Sequence, residues 1–193
     1  ALVESSSLGA VFAAGDDGKI AYSEDGITWT HIASILDSGD SILCGAANSE
    51  VIVFGTIQGE ILYSYDGLFW AKNSVLTYDD LINSVAWSQE LGLFVIVTNN
   101  GVIMYSEDAI VWDTAATPSF GATTIYKGAY SPSKQKSVLI GDTGKIAYST
   151  AFANTISANV AGFTIQAVQY SGTITAYNCT MKQPGTTANL SLS

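Results

Sequence analysis

Residues 22–29 read Tyr22-Ser23-Glu24-Asp25-Gly26-Ile27-Thr28-Trp29, and the pattern returns almost unchanged further along the chain. Tyr63-Ser64-Tyr65-Asp66-Gly67-Leu68-Phe69-Trp70 is the second copy, and Tyr105-Ser106-Glu107-Asp108-Ala109-Ile110-Val111-Trp112 is the third. A fourth begins at Tyr148-Ser149 and lacks the Asp, the Gly and the Trp. The four tyrosines are 41, 42 and 43 residues apart. A period of about 40 to 45 residues with strand-like content marks a propeller or another repeat array.

Working outward from the motif exposes the whole unit. An apolar stretch precedes each copy, at residues 11–14, 51–54, 93–98 and 137–140. A turn ending in glycine follows: Asp17-Gly18, Gln58-Gly59, Asn100-Gly101 and Thr143-Gly144. Asn-Gly and Asp-Gly are the preferred pairs for a two-residue type I′ hairpin, in which both positions need positive φ. A short alternating strand then leads into the motif, and a final strand carries the tryptophan. One more apolar strand opens each unit, at 42–48, 82–88, 125–131 and 165–171, and residues 1–5 align with 84–88. Four strands per unit make a propeller blade. The expectation is one all-β domain over residues 1–193, a β-propeller of four-stranded antiparallel blades. Its full units are 1–36, 41–77, 81–117 and 124–160, with an incomplete fifth at 164–193.

The chemistry of the motif is that of a turn. The Asp carboxylate can accept hydrogen bonds from the backbone N–H groups that follow it. Glycine after it permits a conformation that costs other residues more, so Ala109 predicts a strained or altered turn in the third copy. The Trp buries a large ring and keeps an N–H to donate. Ser23, Asp25, Gly26 and Trp29 therefore read as fold residues, as do Ser64, Asp66, Gly67 and Trp70, and Ser106, Asp108 and Trp112.

This residue set resembles the Asp-box, or BNR repeat, found in sialidases, sortilin-type receptors, photosystem assembly factors and phage tail proteins. The resemblance covers about residues 1 to 160 and implies a β-propeller. It also implies that the motif is a fold element lying away from the usual ligand face. It says little about activity, because one fold serves many roles.

Composition narrows the function. Hydrophobic residues make up 48% of the chain and charged residues 12%, which suits a packed core. The apolar runs are strand-length and too short to span a membrane as helices, and no cationic-then-apolar leader is visible. Net charge is −10, all seven cations are lysines, and His31 is the one histidine. Nucleic acid and anionic membrane surfaces are therefore disfavoured as partners. The charge is also uneven. Residues 1–120 hold sixteen acids and two lysines, whereas residues 121–193 hold Asp142 and five lysines, 127, 134, 136, 145 and 182. Opposite ends of two copies would attract. Cys44 and Cys179 sit in apolar strands and read as free thiols rather than a disulfide framework.

Candidate chemistry is thin. A sialidase-like site clamps a substrate carboxylate with arginines, and the chain has none. A Ser-His-Asp triad would have to use His31, which lies on a motif strand without a nucleophile elbow. Acid pairs occur at Asp16-Asp17, Glu24-Asp25, Asp79-Asp80 and Glu107-Asp108. Two of these belong to the motif, and none falls in a calcium-loop pattern, so no metal and no cofactor is expected. One surface remains as a candidate for binding. Trp87, Tyr130 and Tyr170 sit at equivalent positions near the ends of the opening strands, where aromatics could stack on a sugar or anchor a protein. The alternative is that they pack between blades.

The sequence thus points to a non-enzymatic structural or binding module, on a phage tail or capsid or another extracellular surface. Its partners would be proteins of an assembly, as a homo-oligomer or a virion-embedded subunit. A glycan-binding lectin-type propeller is the alternative.

Overall fold

The computed structural model describes residues 1–33, 35–36, 39–74, 76, 80–114, 123–134 and 137–147, together with the backbone of 136, 148, 165–170 and 174–179. The first blade is β1 (Leu2–Ser5), β2 (Ala10–Ala14), β3 (Ile20–Ser23) and β4 (Thr30–Ile32). The second is β5 (Ile42–Ala47), β6 (Ile52–Thr56), β7 (Glu60–Ser64) and β8 (Ala71–Ser74). The third is β9 (Ile82–Ser88), β10 (Leu93–Thr98), β11 (Ile103–Ser106) and β12 (Asp113–Thr114). Each is an antiparallel sheet in chain order. A fourth sheet holds β13 (Ile125–Ser131), β14 (Lys136–Gly141) and β15 (Ile146–Tyr148). A hairpin, β16 (Ile165–Tyr170) and β17 (Ile174–Cys179), forms the incomplete fifth blade. The expected last strand of the fourth unit falls outside the described residues.

The first strand of each blade runs beside the first strand of the next, β1 by β5, β5 by β9 and β9 by β13. Apolar cores form between blades rather than within them. Phe12 and Ile20 of the first blade pack with Ile52, Phe54 and Leu62 of the second. Val53 and Ile61 meet Phe94, Ile96 and Met104 of the third, and Val95, Val97 and Ile103 meet Leu139 and Ala147 of the fourth. A sheet buries two apolar faces in this way, which explains the continuous apolar runs of β6 and β10.

The opening strands carry a repeated irregularity. The pairing of β5, β9 and β13 with the following strand skips one residue, at Leu43, Asn83 and Tyr126. Such bulges sharpen the local twist. At one of them Asn83 donates through Nδ2 to the Ile125 carbonyl of the fourth blade, 2.9 Å away.

The glycine turns differ from a uniform type I′ reading. Asp17 (φ 56°) and Thr143 (φ 56°) adopt the left-handed conformation together with Gly18 and Gly144, as a type I′ pair does. Gln58 and Asn100 do not, and only Gly59 and Gly101 have positive φ. The cause is the residue that enters the turn. It is Gly15 or Gly141 in the first and fourth units, but Thr56 or Thr98 in the second and third. Thr56 Oγ1 accepts hydrogen bonds from the amides of Gln58 and Glu60, and Thr98 Oγ1 from those of Asn100 and Val102. The threonine hydroxyl supplies a local acceptor and so a different, wider turn.

Candidate functional site

The three motif turns are built alike. Asp25 Oδ1 accepts the amides of Ile27 and Thr28 at 2.8 and 2.7 Å, and the Ser23 hydroxyl at 3.0 Å. Ser23 Oγ in turn accepts the Gly26 amide at 2.9 Å. In the second copy Asp66 Oδ1 holds Leu68 and Phe69, while Ser64 Oγ holds Gly67. In the third, Asp108 Oδ1 holds Ile110 and Val111, while Ser106 Oγ holds Ala109. Hydrogen bonds to the charged form lower a carboxyl pKa. The amides of Thr28 and Ile27 hold Asp25 well below the usual carboxylate range, and those of Phe69 and Leu68 lower Asp66. At Asp108 burial pushes upward, but the amides of Val111 and Ile110 and the Ser106 hydroxyl outweigh it, and the result is again lowered. These carboxylates are anionic and committed to their own backbone.

Ala109 makes the same turn at φ 65°, in the left-handed region where only glycine is free of strain. The strain expected from the sequence is present, and the hydrogen bonding is unaltered.

The same motif meets three environments. Trp70 stacks on Phe54 with centroids 5.0 Å apart, meets Phe12 edge-on, and donates to the Gly67 carbonyl. Trp112 donates likewise to the Ala109 carbonyl and packs against the core between the second and third blades. Gly67 and Ala109 are buried. On the first blade Gly26 faces open space, and Trp29 is 39% exposed. No described blade covers that flank.

The candidate aromatics part company. Trp87 is half-buried, and its ring lies against Phe94 with centroids 4.6 Å apart. Tyr130 is half-buried too, and burial, then Glu90, push its hydroxyl upward. Trp87 packs against the core between the second and third blades, and Tyr130 of the fourth blade faces Glu90 and Ser88 of the third. The Tyr170 side chain lies outside the described residues. His31 is exposed on β4, beside Ala21 on β3. Of the acid pairs, Asp17 pairs with Lys19 at 3.3 Å on the surface, Glu24 and Glu107 are exposed, and Asp79 lies outside the described residues. Cys44 is free and half-buried, with its sulfur beside the Ile82 and Gly55 carbonyls; burial pushes the thiol up to about 12. Cys179 lies outside the described side chains.

Sequence reasoning passes over Asp40 and takes Asp80 only as half of the Asp79-Asp80 pair. Asp40 and Asp80 sit two residues before Ile42 and Ile82, and both are buried. Asp40 Oδ1 accepts the Ser41 amide, while Asp40 Oδ2 and Asp80 Oδ1 have no partner among the described residues. Burial raises Asp40 above its ordinary pKa, against partial relief from Thr56 and Ser41. The available signal is Asp-x-Ile followed by Thr-x-x-Gly, a pattern shared by the second and third units alone.

No protein-family model matches the chain, and no curated protein matches it. Solved structures do. A nidogen/laminin complex matches with a TM-score of 0.59 at 10% identity, over 77% of this chain and 57% of that one. YCF48 bound to a D1 peptide matches at 0.54 and 16%, over 77% of this chain and 48% of that one. The computationally designed Ika4 protein matches at 0.58 and 14%, over 76% of this chain and 87% of that one. This chain therefore spans less than two thirds of the first two. At these identities the likeness concerns the fold, and with the blade order described above it makes this chain a β-propeller.

Proposed function

We propose that the chain is a non-enzymatic structural and binding module of the Asp-box type, acting through protein contacts on a virion or another extracellular surface. The observation that carries this reading is the use made of the motif. Each motif Asp is occupied by the two amides of its own turn and by a serine hydroxyl, and is not offered to a substrate. The absence of arginine from the sequence removes the clamp that sialic acid recognition needs. The low charge outside a few acidic turns suits a subunit embedded among other proteins. Two of the similar structures are complexes, one of nidogen with laminin and one of YCF48 with a D1 peptide.

The test is turnover and binding by the pure protein. The reading expects no hydrolysis of sialosides or other glycosides. Robust turnover that a single substitution abolishes would overturn it. Specific retention of one glycan on an array, lost in Trp87→Ala, would instead favour a lectin-type propeller.

A further inference from the structure

The motif turns carry more apolar surface than their architecture needs. Between the Gly or Ala and the Trp stand Ile27-Thr28, Leu68-Phe69 and Ile110-Val111. All six residues are exposed, with Ile27 at 84%, Phe69 at 81% and Val111 at 66%. The turn asks of them only an amide for the Asp. Thr28 meets that requirement at the position equivalent to Phe69 and Val111, with a 2.7 Å bond to Asp25. The apolar side chains are therefore surplus to the fold, and grouped exposed apolar side chains mark contact surfaces. All three turns join the third strand of a blade to its fourth, so they emerge on one side of the propeller. Their backbones are already fixed by the Asp bonds, which reduces the ordering cost of docking.

Charge identifies the occupant. The three motif stretches hold Glu24, Asp25, Asp66, Glu107 and Asp108 and no lysine. Five of the seven lysines lie beyond residue 120, in company with a single acid. Lys127 on β13 and Lys134 after it are exposed. We infer that the Asp-box turns of one copy dock on the lysine-bearing fourth blade of a second copy, in a face-to-face contact with Ile27, Phe69 and Val111 as its apolar anchors. Lys134 lies between the first and second strands of its blade, a connection that emerges on the same side as the motif turns, so two copies can make the contact reciprocally and close a dimer. The assignment rests on the reading of the chain as a protein-binding module. Glycoside turnover would remove that reading, whereas a monomeric chain without turnover would remove only this contact.

The test is sedimentation velocity on the full chain, at salt of about 20 mM and about 500 mM, which spans weak to strong screening. The wild-type chain self-associates at low salt and less at high salt. Phe69→Ser with Val111→Ser weakens this at least about tenfold, the size of effect expected for anchors of a contact. Lys127→Glu with Lys134→Glu does the same. Because all four residues are exposed, both variants keep the wild-type circular dichroism and melting temperature. An equimolar mixture of the two variants retains one intact surface of each kind and forms a heterodimer through one of the two reciprocal contacts. A wild-type chain that stays monomeric at high concentration and low salt overturns the inference. So do variants that associate like wild type, and so does a mixture that stays monomeric.

Discussion

Val53→Phe, Ala109→Gly and their combination test whether successive blades pack by one shared rule. Phe12 of the first blade fills the space beside Gly67 of the second. A Cβ on Gly67 would stand 2.4 Å from Phe12 Cζ and 2.6 Å from Cε1, well inside van der Waals contact. One repeat later the equivalent residues are Val53 and Ala109. Both are 0% exposed and belong to the same core cluster. The smaller Val makes room for the methyl that Gly67 lacks. Phenylalanine at 53 would meet that methyl by about an ångström of overlap, and overpacking of this kind costs about 1–3 kcal/mol. Ala109→Gly alone relieves left-handed strain worth roughly 1–2 kcal/mol and loses a buried methyl worth about 0.8 kcal/mol plus a small cavity. Its net effect is small. The double variant recreates the Phe12–Gly67 pair and recovers most of the loss from Val53→Phe. Urea unfolding of the four proteins gives the coupling energy, expected at about 1–3 kcal/mol in favour of the double variant. In a chain of this size each kcal/mol moves the melting temperature by roughly 2–4 °C. Additive effects, or a harmless Val53→Phe, would refute the reasoning.

Three further outcomes follow from the same geometry. Asp66→Ala strips the acceptor from the Leu68 and Phe69 amides, which water partly replaces; the loss should be about 1 kcal/mol in urea unfolding, as for a helix cap. The pH profile should be shaped by two opposed groups. Asp25, Asp66 and Asp108 have lowered folded pKa values, so their contribution is present above the unfolded value of about 4 and is lost as pH falls through the folded ones. Asp40 is raised, so its anion opposes folding at neutral pH and its protonation stabilises the fold as pH falls toward about 4. Melting temperatures should therefore pass through a maximum in mild acid and drop below it, and Asp40→Asn should flatten the rise while leaving the drop. Cys44, held as a thiol by its raised pKa, should react with iodoacetamide more slowly at about pH 8 in the native protein than once it is unfolded; native labelling as fast as unfolded labelling, read by mass spectrometry, would contradict the raised pKa.

Whatever depends on neighbours along the chain is legible in the residues themselves. The repeat of Tyr-Ser-x-Asp-Gly-x-x-Trp carries its own hydrogen-bond donors and acceptors within eight residues, so the sequence alone assigns Asp25, Asp66 and Asp108 to their turns. Strand order follows for the same reason, since hairpins join consecutive strands. Contacts between residues some 40 positions apart need the tertiary structure. It decides that Gly67 lies under Phe12 while Gly26 faces open space, although the two motifs share their Tyr, Ser, Asp, Gly and Trp. It places Trp87 against Phe94 and Tyr130 between blades, where an aromatic at the end of an inner strand is, by sequence, equally fit for a ligand. It also buries Asp40 and Asp80, whose stretches of sequence alone do not show what will cover them. A blade has no core of its own. Its apolar faces are buried by the blades on either side, so the burial of each side chain is set by residues one repeat away rather than by its own stretch of chain.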